Sequence, residues 1–214
     1  MLAGSPDDSM AHVWSSAGGI ILQMQIDHVL IAASDLDTAA ARFEAEHDLR
    51  VAGGGRHDGI GTENRIVPLG AGYLELIAVV DPEEAASSPL GRALAQRIAG
   101  RGDGLMAWAV TVPDASAEAE RTGSGLSRIG REGLTATLAG VATAMEAPYL
   151  PFFIERDPDA QDPGAGGDAG IRWIEVSGDA ARLAGWLGDH DLPVRVVDGQ
   201  PGVTAVGIGD RELR

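Results

Sequence analysis

IDHVLIAASD at residues 26–35 and LMAWAVTVPD at residues 105–114 decide the fold. Each is an apolar run of strand length closed by a turn Asp. An Ala-rich helical segment follows each: LDTAAARFEAEHDL after the first, ASAEAERTGSGL after the second. Behind the first helix, strands are predicted at 49–53, 64–69 and 72–80, with glycine turns between them. Behind the second, they are predicted at 127–130, 134–139 and 150–155. The chain therefore reads as βαβββ written twice, an α+β arrangement over residues 24–156. SPLGRALAQRIAG supplies a helical connector between the halves. A polar Asp/Pro/Gly stretch at 157–170 reads as a loop. A shorter echo, IRWIEVSGD, opens a C-terminal βαββ piece at 171–214, too small to bury a core of its own and expected to pack on the main domain.

The composition narrows the function. The 214 residues carry a net charge of −16, and all 16 basic residues are arginine. No basic stripe exists for a phosphate backbone, so a nucleic-acid partner is not expected. An anionic lipid surface would repel the same field. Without lysine there is no Schiff-base or P-loop lysine. Without cysteine there is no disulfide, thiol nucleophile or thiolate metal site. No segment is long and apolar enough to span a bilayer. Residues 1–23 hold no Lys or Arg and read as a flexible leader before a natural start at Met24, without the n-region of a signal peptide. A cytoplasmic location is the expectation.

Chemistry is sought where polar groups interrupt apolar strands. His28 shares a face of the first strand with Ile26, Leu30 and Ala32. Glu75 shares a face with Tyr73 and Ile77 inside LELIAVV, where a carboxylate is costly unless paired or bound to a cation. YLELI and FFIER correspond when Glu75 is laid over Glu155. Each residue also has a plainer reading. His28 beside Asp27 would serve as a structural histidine, Glu75 and Glu155 as partners of Arg65 or Arg156, and His57 and Asn64 as turn stabilisers. His57 and Asn64 are also candidates for substrate contact. Phe153, on the Glu155 face, is a candidate lining for an apolar pocket, and Trp108 is expected in the core. The glycines of GGGRHDGIG lack the spacing and following helix of a dinucleotide fingerprint.

IDHVLIAASDLD, GGRHDGIGTENRIVPLGAGYLELIAV and LPFFIERD together resemble the glyoxalase-like branch of the vicinal oxygen chelate superfamily. The resemblance implies two βαβββ modules curled into a half-open barrel around a divalent metal such as Zn, Ni, Fe, Mn or Mg. It implies His28, Glu75 and Glu155 as ligands, with Ala107 at the fourth position, opposite His28. It implies lyase, isomerase or dioxygenase chemistry on a small oxygenated molecule, or metal-free small-molecule binding like that of the bleomycin-resistance branch. Modules of this type also pair between chains, so a homodimer is among the arrangements it implies.

Overall fold

In the computed structural model, residues 24–131 and 134–214 are described. The leader and His12 lie outside them. The first module comprises β1 (Gln25–Ala32), α1 (Leu36–His47), β2 (Arg56–His57), β3 (Thr62–Pro68) and β4 (Tyr73–Val79). Helices α2 (Pro82–Ser87) and α3 (Pro89–Arg101) connect it to the second. That module comprises β5 (Gly104–Thr111), α4 (Ala115–Thr122), β6 (Leu126–Arg131), β7 (Leu134–Ala139), α5 (Val141–Glu146) and β8 (Phe152–Arg156). The C-terminal part adds β9 (Ile171–Ser177), α6 (Ala180–Leu187), β10 (Val194–Val197), β11 (Gly202–Ile208) and β12 (Arg211–Leu213).

The two opening strands hand over to their helices by one device. Asp35 accepts a hydrogen bond from Thr38 N at 2.8 Å, and Asp114 accepts one from Ala117 N at 2.9 Å. Both aspartates are extended N-caps that satisfy an otherwise orphaned helical N–H.

Eight strands form one sheet in the order β2-β3-β4-β1-β5-β8-β7-β6. Each module contributes four, with β1 and β5 antiparallel at the centre. Each opening strand runs parallel to the closing strand of its own module. The edge strands β2 and β6 come into contact, so the sheet curls into a nearly closed barrel.

Alternation gives the sheet two apolar faces. The inner face carries Leu30, Ile77, Ala107, Ala109, Phe152 and Ile154, and packs on Leu94 of α3 and Ala144 of α5. The outer face carries Val29, Leu74, Trp108, Val110 and Phe153, and packs on Phe43 of α1, Ala119 of α4 and Trp186 of α6. Trp108 is fully buried there and donates to Tyr149 O at 3.2 Å. Burying each large side chain of this kind contributes about 1.5–3 kcal/mol.

Several elements differ from the sequence reading. Residues 49–53 form no strand; Ala52 makes an isolated bridge to Ile66, and Leu49 and Val51 pack on the outer core. The second strand lies instead at Arg56–His57, after the glycines. Helix α5 was not expected, because Gly140 at its N-cap provides no side-chain signal. The C-terminal part has a further strand, β12, and its sheet runs β10-β9-β11-β12. That order differs from either module's, so the third echo shares an element pattern with them but not their wiring. β11 lies against β5, and Trp186 Nε1 donates to Pro151 O at 2.8 Å.

Candidate active site

Barrel strands alternate, so every second residue of β1, β4 and β8 faces inward. At one end these inward residues turn polar. His28, Tyr73, Glu75 and Arg156, together with His57 and Asn64, line a cavity of about 50 Å³ closed by Leu30, Phe152 and Ile154.

A bulge places the first pair. Against β5, Ile26 stands opposite Val110 and His28 opposite Ala109, leaving Asp27 as an extra residue. A bulge breaks the strict alternation of neighbouring side chains. Asp27 and His28 therefore meet, with Nδ1 of the ring 2.5 Å from Oδ1 of the carboxylate. This contact fixes Nδ1 as the donor and turns Nε2 toward the cavity. The ring stacks on Tyr73 at 4.6 Å between centroids and meets the edge of Phe152 at 5.4 Å.

Nε2 of His28 faces Oε2 of Glu75 at 3.5 Å. The other oxygen of Glu75 accepts from Asn64 Nδ2 at 2.8 Å. The same amide nitrogen lies 3.2 Å from His57 Nε2, while His57 Nδ1 lies 2.9 Å from Thr62 Oγ1. Asn64 Oδ1 in turn accepts from Gly55 N at 2.9 Å. A Cβ on Gly54 would stand 1.9 Å from Asn64 O, so that glycine allows the chain to cross β3 closely.

Arg156 faces this group from β8. Its Nη2 donates to Asp27 Oδ1 at 2.5 Å and to the Tyr73 hydroxyl at 3.3 Å. Its Nη1 is buried without a hydrogen-bond partner among the described residues. Such a donor is costly to leave unmatched and is therefore a candidate contact for a ligand oxygen.

The charges follow from these contacts. Burial pushes the Asp27 carboxyl up. The His28 hydrogen bond and charge, Arg156 and Thr111 outweigh it and hold Asp27 below the usual carboxylate range. Burial, with Asp27 and Glu75 nearby, lifts the Tyr73 phenol well above its ordinary value despite Arg156, so Tyr73 stays a neutral hydroxyl. Burial disfavours the Arg156 cation, but Tyr73 and Asp27 more than restore it.

The structure brings His28, His57, Asn64 and Glu75 into one cavity and sends Glu155 and Phe153 elsewhere. Glu155 lies on the other side of β8, where its Oε2 accepts from Ala115 N at the start of α4, 2.9 Å away. Phe153 is in the outer core, stacked on Trp186 at 5.5 Å. The cause is a one-residue register difference, which reverses every side chain of a strand. Laying Glu75 over Glu155 matches residue types but not faces. The spacing that carries Asp35 onto Asp114 instead sets Tyr73, Glu75 and Ile77 over Phe152, Ile154 and Arg156. Phe152 and Arg156 are thus the inward residues that residue-type matching missed.

The donor set does not fit the divalent metal of the vicinal oxygen chelate pattern. Among the described residues, no group of three or more His, Cys, Asp and Glu side chains is arranged to hold a metal ion. Where a second module would supply ligands, this one supplies Ala107, Ala109, Ile154 and the cation of Arg156. The Asn64 amide contacts both His57 Nε2 and Glu75 Oε1, which lie 3.8 Å apart.

The sequence profile of the glyoxalase-like domain family matches residues 26–190. No curated protein matches the chain in sequence. Among solved structures, a hypothetical protein from Staphylococcus aureus aligns with 15% identity and a TM-score of 0.63, over 86% of this chain and 88% of that one. A methylmalonyl-CoA epimerase in complex with methylmalonyl-CoA and NH4+ aligns with 19% identity and a TM-score of 0.50, over 65% of this chain and 99% of that one. At these identities the structural likeness concerns the fold.

Proposed function

From the premise that the chain belongs to the glyoxalase-like domain family, we propose that it is an isomerase-type enzyme moving a proton on a small oxygenated molecule, with Arg156 supplying the positive charge at the reacting oxygen. One observation carries this reading: Nε2 of His28 lies 3.5 Å from Glu75 Oε2, in a cavity also lined by Arg156, whose Nη1 is buried without a hydrogen-bond partner among the described residues.

A carbon acid beside a carbonyl loses its proton to a base, and the C–H electron pair moves into an enolate. Glu75 is the group positioned to take that proton. The Arg156 guanidinium and the neutral Tyr73 hydroxyl would stabilise the oxygen where negative charge develops. His28, oriented by Asp27, exchanges the proton with Glu75; the former carbonyl carbon takes a proton back while the substrate hydroxyl proton passes to the enolate oxygen, so that carbonyl and hydroxyl change places. Two proton-handling groups side by side suit transfer between adjacent atoms on one face of a substrate. Inversion at a single carbon would instead call for groups on opposite faces. Hydroxyketones and hydroxyaldehydes have the required chemistry. A fold neighbour being an epimerase is consistent with proton transfer in such a barrel, although fold alone leaves the reaction open.

Incubation with short hydroxyketones and hydroxyaldehydes in ²H₂O, followed by NMR, tests the proposal. Deuterium is expected at the hydroxyl-bearing carbon with the wild-type chain and not with His28→Gln or Glu75→Gln. Binding of these compounds, seen as an EDTA-insensitive rise in melting temperature without exchange, would replace the enzyme reading with metal-free binding. The buried guanidinium is the feature that favours that second reading.

A further inference from the structure

We infer that the substrate is amphipathic, with its oxygenated end in the His28–Glu75–Arg156 cavity and an apolar chain extending into an adjoining groove. This rests on the reading of that cavity as the ligand site. The polar cavity, at about 50 Å³, holds about three to five waters' worth of space, which is a head group rather than a whole metabolite. Beside it lies a second hollow of about 460 Å³, within the range of about 300–1,000 Å³ typical of small-molecule sites.

The two spaces adjoin. Leu90 of α3, Ile129 of β6 and Leu138 of β7 line both. Beyond them the groove is lined by Ile60, Leu126 and Val141. Leu126 is one of only three large hydrophobic side chains exposed among the described residues, at 52%. A large apolar side chain left open beside a charged head-group cavity suits a chain that would cover it. The shared part is apolar, and the charged residues Asp58 and Arg128 line only the part of the groove that the two spaces do not share.

The occupant that matches is an acyl-type molecule: a carbonyl or oxyanion head for Arg156 and Tyr73, followed by an unbranched or lightly branched hydrocarbon. Carboxylates mimic the head, because a carboxylate resembles the oxyanion for which the guanidinium is placed. Chain length is the variable that the groove would read.

The experiment is isothermal titration of the full chain with propionate, hexanoate and octanoate, and with octanol as the uncharged control. Affinity is expected to rise up to about fourfold for each added methylene that becomes buried. Octanoate should bind at one molecule per chain and more tightly than octanol. Leu126→Asp, at a site already 52% exposed, should weaken octanoate by about tenfold and leave propionate unchanged, with Leu126→Ala, expected to weaken octanoate in the same direction, as the milder second variant. Equal affinities for propionate and octanoate, or no effect of Leu126→Asp on octanoate, would overturn the inference. Chain-length-dependent binding without proton exchange would uphold it while removing the isomerase reading. Exchange on short substrates with no chain-length dependence would do the reverse.

Discussion

Nε2 of His28 and Oε2 of Glu75 stand 3.5 Å apart across the parallel pairing of β1 with β4. Neither strand could place them so alone. The bulge at Asp27 aims the ring, and Asn64, reaching from β3, holds the other oxygen of Glu75. The polar end of the cavity is therefore mostly a product of the first module. The second contributes one cation, Arg156, and an apolar wall.

If this pair handles the substrate proton, His28→Gln and Glu75→Gln should each lower turnover by about 10²–10⁴-fold, the usual contribution of a positioned acid or base. Substrate-induced melting shifts should persist in both variants, because Arg156 and the apolar wall remain. Turnover within about threefold of wild type in either variant would remove that residue from the proton path.

Asp27 ties stability to pH. Its carboxyl is held below its ordinary value of 3.8 in the folded chain. A depressed folded value means the unfolded chain binds the proton more readily. The stabilisation is therefore complete above about pH 5 and is lost progressively as the pH falls through 3.8 toward the lower folded value. Asp27→Asn leaves Arg156 as a buried cation without its anion, a change that costs about 3–5 kcal/mol at neutral pH. Urea midpoints of the two chains should converge as the pH drops below 4. A constant gap between pH 7 and pH 3 would show that the carboxylate charge at Asp27 is not the stabilising element.

Two of the three glycines before β2 differ in what they permit. A Cβ on Gly54 would sit 1.9 Å from Asn64 O and 2.4 Å from its Oδ1, whereas one on Gly53 would meet nothing within 4 Å. Gly54→Ala must displace backbone, so it should cost about 1–3 kcal/mol and disturb the Asn64 amide that bridges His57 and Glu75. Gly53→Ala should be neutral or stabilising by up to about 1 kcal/mol. Urea denaturation of both variants checks this, and equal midpoints would contradict the close crossing.

Much of the architecture was legible because its signals are local. Apolar runs ending at Asp35 and Asp114, each followed by an Ala-rich helix, marked both modules. His28 and Glu75 stood out as polar residues inside apolar strands. What escaped the reading depends on partners distant in sequence. Nothing local distinguishes Glu155, which caps α4, from a carboxylate that faces the cavity. Counting from the capping aspartates rather than from the glutamates would have selected Phe152, Ile154 and Arg156. The Asp27 bulge was equally hidden, because only pairing with β5 creates it.

The last prediction concerns metal. A divalent ion needs several lone pairs converging at about 2.0–2.2 Å, and here two groups compete with it. The Asn64 amide donates toward Glu75 Oε1 and His57 Nε2, so those lone pairs are engaged. Arg156 places a permanent positive charge in the same cavity. Protein purified without chelator should therefore carry no stoichiometric metal by mass spectrometry, and its melting curve should not change with EDTA. An ion present at a hundred times its Kd would stabilise the fold by about 2.7 kcal/mol, a shift that thermal melting resolves readily. Titration with Zn, Mn and Ni should leave the curve in place. One tightly held equivalent of metal that disappears in Glu75→Gln would mean that Asn64 swings aside to admit the ion, and that Arg156 is not the positive charge acting on the substrate oxygen.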